Sequence, residues 1–334
     1  MMSKSSWLPV LGLLILSCQF AYLIISNDIH IDPLNEKYSR HHQELAVRVV
    51  NFSSLEPLEM PTPMTPFVFF HLRKTGGSSI RDMLYNASHQ MNLTSFLPCY
   101  GNVSCKTYFL PPDEKIFSLY GGHLFYDDVR NTLNLQREEN YSSFPSTNTF
   151  SCLTVIRPTV ERVFSCWNFR MLQENESPLK NAESLSVEEW DTLLPIALSI
   201  HGEGCNNEFV RVFGSIWDEE IVNTLNGNSF PFLIQNQVDV ISSRLSKCII
   251  LKMGHGVQNQ IIVEHFLPWF SVVYNKHSIL NKGNISSHVN TPSTNVTATI
   301  LKHNYLDDVL FNIASEIHNS QLQQASGKSS LRFR

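Results

Sequence analysis

This sequence of 334 residues contains no lysine- and arginine-rich run, and its net charge is −5. A nucleic-acid surface needs a basic footprint, so no nucleic-acid partner is expected. His-Glu-x-x-His and Cys-x-x-Cys are both absent, and the adjacent His41 and His42 stand in a polar leader. The thirteen histidines thus show no metal-ligand spacing, and no metal is expected. The triphosphate-loop order Gly-x4-Gly-Lys-Ser/Thr is missing too, which disfavours a kinase or ATPase. No internal repeat or low-complexity block occurs. Seven cysteines do not make a disulfide miniprotein of a chain this long, so a hydrophobic core must carry most of the stability. With 43% hydrophobic residues, the chain suffices for one large domain or two modest ones.

What is present begins at the N-terminus. Trp7 to Ile25 is a run of nineteen uncharged residues, rich in Leu and Ile. That is about enough to cross a ~30 Å hydrocarbon layer as a helix. Lys4 precedes the run while Asp28 and Asp32 follow it, so the charge bias puts residues 1–6 in the cytosol. A cleaved signal peptide is the rival reading. Its apolar core would be shorter, about 7–15 residues, and would end at small residues, unlike Ala21-Tyr22-Leu23. Residues 7–25 are therefore expected to be a transmembrane signal-anchor, with the rest of the chain lumenal. Sequons at Asn51, Asn86, Asn92, Asn102, Asn140, Asn175, Asn284 and Asn295 agree with a glycosylated lumenal protein. Cys18 lies inside the apolar run and leaves an even six outside it. Cys99 and Cys105 bracket a short glycine-containing loop and are expected to be bridged. The pairing among Cys152, Cys166, Cys205 and Cys248 stays open.

Residues 26–65 are polar and lead into Pro57, Pro61, Pro63 and Pro66, a density that favours extended chain. They read as a stem, followed by a catalytic domain over residues 66–323 and a polar, basic tail over 324–334. The domain opens on Phe67–Leu72, a β-branched and aromatic run expected to be a buried strand. A glycine turn and a helix over Ser78–Asn86 follow. Further strands are expected at Ile116–Tyr120, Cys152–Ile156 and Cys248–Leu251. Helices are expected at Val160–Leu172, Val187–Ser199, Val238–Ser246, Gln258–Phe266 and Ala298–Gln321. Strands alternating with helices imply a parallel sheet covered on both faces, an α/β three-layer domain.

Strand, glycine turn, helix is also a geometry that holds phosphate, because unpaired N–H groups and the positive end of the dipole face the ligand. In His71-Leu72-Arg73-Lys74-Thr75-Gly76-Gly77-Ser78-Ser79, the glycines allow close backbone approach. Lys74 supplies a point charge, and Thr75, Ser78 and Ser79 supply hydroxyl donors. The lysine precedes the glycines, the reverse of the triphosphate loop. His123, in Gly121-Gly122-His123-Leu124-Phe125-Tyr126, is glycine-flanked after the second strand and suited to act as a base. His71 is expected to pack.

The segment Phe70–Ser79 resembles the 5′-phosphosulfate loop of Golgi carbohydrate sulfotransferases, especially the heparan sulfate 2-O- and 6-O-sulfotransferase branch. That resemblance implies 3′-phosphoadenosine 5′-phosphosulfate as donor and an α/β domain with a phosphosulfate-binding loop behind an N-terminal transmembrane helix. It also implies a second motif, an Arg at a strand end with a Ser eight residues on, gripping the donor's 3′-phosphate. Leu153–Ser165 supplies Arg157 and Ser165, with Pro158-Thr159 where the family has Asp-Pro. The Gly-His segment at His123 resembles the one carrying the family's catalytic base. Ile261–Trp269 and His288–Ser293 resemble later family segments, while Leu251-Lys252-Met253-Gly254 departs from the family's Gly-Leu-Thr-Glu turn. The resemblance implies a Golgi type II membrane protein that transfers a sulfuryl group to a glycan or glycoprotein hydroxyl. His123 would be the base, and Lys74 would act on the leaving group. Arg73, Arg81, Arg162 and Arg170 are further positive residues near these motifs, expected mostly to serve the donor. A protein-tyrosine sulfotransferase and an inactive lumenal binding protein of the same fold are the alternatives.

Overall fold

The computed structural model describes residues 55–98, 109–112, 115–140, 150–173, 185–196, 205–216, 231–280 and 292–332. The anchor at 7–25, most of the stem, the Cys99–Cys105 pair and residues 288–291 of the loop expected at His288–Ser293 lie outside them. Among the described residues no helix is long and apolar enough to cross a membrane.

Five parallel strands form one sheet in the order β2-β3-β1-β4-β5. They are β1 (Phe67–Phe70), β2 (Ser95–Phe96), β3 (Leu119–Gly122), β4 (Ser151–Ile156) and β5 (Cys248–Lys252). Ten helices accompany them among the described residues: α1 (Gly77–Gln90), α2 (Tyr126–Asn140), α3 (Thr159–Gln173), α4 (Val187–Ile196), α5 (Glu208–Gly214), α6 (Pro231–Leu245), α7 (Gly256–Phe266), α8 (Pro268–Leu280), α9 (Thr294–His303) and α10 (Tyr305–Arg332). This is an α/β fold with a central all-parallel sheet and flanking helices.

The strands are apolar without alternation because both faces are covered. Odd-numbered positions (Phe67, Phe69, Leu153, Val155, Ile249, Leu251) pack on Ile80, Met83, Leu84 and Ala87 of α1 and on the apolar faces of α7 and α8. The spacing of those four α1 residues is that of one helical face. Phe70, an even position, turns to the other side and meets Phe213 of α5 at 5.2 Å and Tyr126 of α2 at 5.5 Å between ring centroids. A second cluster joins Val163, Phe164 and Trp167 of α3 to Trp190 of α4 and to Val296 and Ile300 of α9.

Two disulfides resolve the pairing that was open. Cys152 and Cys248 are register partners on β4 and β5 and are bridged, and Cys166 of α3 is bridged to Cys205 just ahead of α5. The expected helix over Ala298–Gln321 is two helices, broken at Asn304. That residue is fully buried, and its side chain bonds Asn206, the Asn207 N–H and the Ile300 carbonyl. The expected strand at Ile116–Tyr120 is shifted, because pairing with β1 runs on through Gly121 and Gly122. Residues 55–65 of the stem stretch lie on the domain: the Leu58 N–H donates to the Phe266 carbonyl, and Gln324 donates to the Leu55 carbonyl.

Candidate functional site

Three strand ends meet at the carboxyl edge of the sheet. The chain leaves β1 toward β2 on one side and leaves β4 toward β5 on the other. Connections that diverge from neighbouring strands open a crevice there, the position where open α/β sheets take ligands. To that edge β3 delivers His123, β1 delivers the loop at residues 71–79, and β4 delivers Arg157.

Parallel register sets the first contact. Phe70 pairs with Gly122, so the next residues, His71 and His123, fall side by side and their rings stack at 4.3 Å. His123 Nδ1 lies 2.8 Å from the His71 carbonyl oxygen. A carbonyl only accepts, so Nδ1 carries the proton and Nε2 is the basic nitrogen of the neutral ring. Burial, joined by the Arg73 and Arg81 charges, lowers His123 to about 4, while Glu208 and the His71 carbonyl oppose the shift. Burial also pushes His71 well below the usual histidine value, helped by His123, Arg81, Arg73 and Lys74. His123 is thus neutral near pH 7, the state a proton acceptor needs.

The loop is held in an uncommon conformation. Lys74 has φ 61° and Gly76 φ 84°, both left-handed, and the second is a natural glycine position. Gly76 caps α1 without a side-chain bond, and no acid stands in the first turn. Ser78 and Ser79 are exposed there, so the positive end of the helix dipole is open to solvent, as anion binding requires. Gly77 admits nothing larger, because a Cβ would fall 2.0 Å from the His71 ring. Thr75 differs from expectation. Its hydroxyl donates to the Leu72 carbonyl at 2.7 Å, so the proton holds the turn instead of pointing at a phosphate.

Arg157 and Lys74 are brought together. Arg157 Nη1 donates to the Lys74 carbonyl at 3.2 Å, and Nε pairs with Glu161 at 3.3 Å. The Lys74 ammonium is half-buried and sits 4.0 Å over the ring of Phe169, a residue 45% exposed. Burial and the neighbouring Arg157 charge lower the Lys74 pKa. Ser165 is half-buried on α3 one turn before Phe169, so the two share the helix face that reaches the loop. The turn after β5 adds Met253, whose N–H donates to the Ile156 carbonyl and whose sulfur lies 3.9 Å from a Cβ position at Gly76.

Arg162 corrects the expectation that it serves the donor. It is 1% exposed and committed elsewhere, to Asp307 at 3.0 Å and to the Cys205 carbonyl at 2.9 Å. Asp307 in turn accepts the Phe209 and Val210 N–H groups, capping α5 from another helix. Burial raises Asp307 to about 6 against the pull of Arg162. The Arg170 side chain lies outside the described residues.

Glu208 was not anticipated. It is fully buried at the start of α5, and its Oε1 accepts the Arg73 N–H at 3.1 Å across 135 residues of sequence. Burial opposes its ionisation, but Arg73, Arg162, His123 and the Arg73 N–H together hold it below the usual carboxyl value. The available signal was an acid heading Phe209-Val210-Arg211-Val212-Phe213, a run that is apolar but for Arg211. Compared with known proteins, the chain matches no family model, and no curated protein is significantly similar to it.

Proposed function

We propose that this protein is a sulfotransferase that uses 3′-phosphoadenosine 5′-phosphosulfate and a glycan hydroxyl as acceptor. The observation that carries the reading is the meeting of Lys74 and Arg157 beside the uncapped N-terminus of α1. That arrangement offers two cationic groups and a helix dipole to a ligand with two separated phosphates. Each proposed donor-binding residue has a part. The N–H groups of Gly76, Gly77, Ser78 and Ser79 and the Lys74 ammonium face the 5′-phosphosulfate, with Arg73 and Thr75 shaping the loop. Arg157 and Ser165 hold the 3′-phosphate. The bound donor supplies the sulfuryl group. His123 Nε2 takes the acceptor proton, and Lys74 offsets the negative charge that builds on the departing 5′-phosphate.

The two disulfides suit an oxidising compartment, in keeping with a Golgi-lumenal domain behind a membrane anchor at residues 7–25. Asn92 and Asn295 are exposed and open to glycosylation, whereas Asn86 is half-buried in α1 beside buried Ser88.

The test is retention of the lumenal chain on immobilised adenosine 3′,5′-bisphosphate, then incubation with labelled donor, a glycan panel and tyrosine peptides. Retention with label on a glycan is expected. Label on tyrosine alone would transfer the reading to peptide acceptors, and absence of retention would refute it. Lys74→Ala is expected to slow transfer by about 10²–10³-fold.

A further inference from the structure

The turn that follows β5 lies against both proposed phosphate subsites. Lys252 pairs with Ile156 at the end of the sheet, and the Met253 N–H then donates to the Ile156 carbonyl at 2.9 Å. The turn is thereby tied to the residue just ahead of Arg157. The Met253 sulfur, for its part, lies 3.9 Å from a Cβ position at Gly76 in the phosphate loop. Met253 thus joins the strand end that carries Arg157 to the loop that carries Lys74. Arg157 makes a link of its own to the Lys74 carbonyl, but through the guanidinium that must also meet a phosphate. A tie through the Met253 backbone takes no cationic donor from the site.

The turn closes on itself through the His255 N–H, which donates to the Lys252 carbonyl at 3.1 Å, but Met253, Gly254 and Gly256 are exposed. Gly254 has φ 84°, a conformation that favours glycine. What aims the turn comes from beneath it. Asn259 of α7 is 7% exposed, and its amide clasps both backbone groups of Lys252: Oδ1 accepts the N–H at 3.0 Å, and Nδ2 donates to the carbonyl at 2.8 Å. Only one orientation of the amide makes both bonds, because a backbone N–H donates and a carbonyl accepts. His318 of α10 is 1% exposed and places Nε2 3.3 Å from the same Oδ1. That oxygen only accepts, so Nε2 is the donor. Two turns earlier on α10, the ring of Phe311 lies 5.3 Å from the Lys252 ammonium. Helices α7 and α10 therefore hold the turn by its first residue, and the exposed part follows.

We infer that Asn259 is a positioning residue: through Lys252 and Met253 it sets the turn that keeps the two phosphate subsites at the spacing of one ligand. The inference rests on the sulfotransferase reading and adds to it a residue that touches neither donor nor acceptor. A ligand gripped at two points gains from the second grip only while both points are spaced to fit it. When the spacing is lost, each subsite still takes a single phosphate, but the joint grip fails.

The experiment titrates the full chain with adenosine 3′,5′-bisphosphate, adenosine 5′-monophosphate and adenosine 3′-monophosphate, read by calorimetry. Asn259→Ala removes the clasp on the Lys252 N–H and carbonyl. Its affinity for the bisphosphate is expected to fall about tenfold, and for either monophosphate by less than about threefold. Equal losses for all three ligands would mark Asn259 as a support of the fold alone and overturn the inference, as would an unchanged bisphosphate affinity. Met253→Ala covers the case in which Asn259→Ala does not fold, since Met253 is 37% exposed. That variant is expected to weaken the bisphosphate about threefold to fivefold and to leave the monophosphates unmoved. Equal losses or no change there would again overturn the inference. In all of these outcomes the wild-type chain binds the bisphosphate, and the sulfotransferase reading stands. Failure of the wild-type chain to bind it would instead remove that reading and this inference with it.

Discussion

His123 shows how one side chain links the site to the stability of the domain. Its ordinary value is 6.5, and in the folded protein it lies near 4. Between those values the unfolded chain binds a proton that the folded chain refuses, so stability falls as the pH falls. The contribution is whole above about pH 6.5 and is lost by about pH 4, to an extent of order 3 kcal/mol. His71, shifted in the same direction, steepens the slope. Urea unfolding of the ligand-free chain at pH 7 and at pH 4.5 is expected to show this loss, and His123→Gln should flatten it. Parallel pH profiles for wild type and variant would count against a buried neutral imidazole. Lys74 is a smaller case of the same kind. Resting over Phe169, it keeps a partner for its charge in the absence of a phosphate.

At the scale of elements, the two disulfides do different work. Cys152–Cys248 staples β4 to β5 across 96 residues, below the strand ends that build the site. Cys166–Cys205 closes 39 residues and anchors the approach to Glu208. Loop closures of these lengths are worth about 4–5 kcal/mol each on chain-entropy grounds. Replacing either pair by serine should lower the unfolding free energy, measured by denaturant titration. Only the Cys166/Cys205 pair should also weaken binding of adenosine 3′,5′-bisphosphate. Equal effects on binding would argue against the segment at 205–208 as a support of the loop.

The same elements show what a sequence reader can see. Arg157 is singled out only through the family resemblance, whereas β1, β4, β5, α1, α3 and α7 announce themselves by apolar spacing and the loop by its glycines and charge. Glu208 and Asp307 do not, because each acts through a partner about a hundred residues or more away. No local pattern encodes such a meeting. The break at Asn304 was hidden for the same reason, since its side chain answers to Asn206 and Asn207 instead of to its own helix. Thr75 was visible as a hydroxyl, but whether its proton faces a ligand or the Leu72 carbonyl depends on the fold of the turn.

For the molecule as a whole, a ligand that joins β1, β4 and α3 through its phosphates should stabilise the folded state against the unfolded one. At a hundredfold excess over its dissociation constant, adenosine 3′,5′-bisphosphate is expected to add about 2.7 kcal/mol. That corresponds to a rise in melting temperature of roughly 5–10 °C, read by calorimetry. ATP, lacking a 3′-phosphate for Arg157 and Ser165, should raise it much less; an equal rise would point to a general nucleotide site.

The last consequence concerns the rim of the sheet. Gln321 of α10 gives its amide to the Cys248 carbonyl and accepts the Ile250 N–H, so one side chain stands in for a sixth strand along β5. At the opposite rim β2 is only two residues long. A strand offered by another copy would find one border already engaged and the other too short to hold it. Both described borders of the folded sheet thereby offer little to edge-to-edge pairing between folded copies.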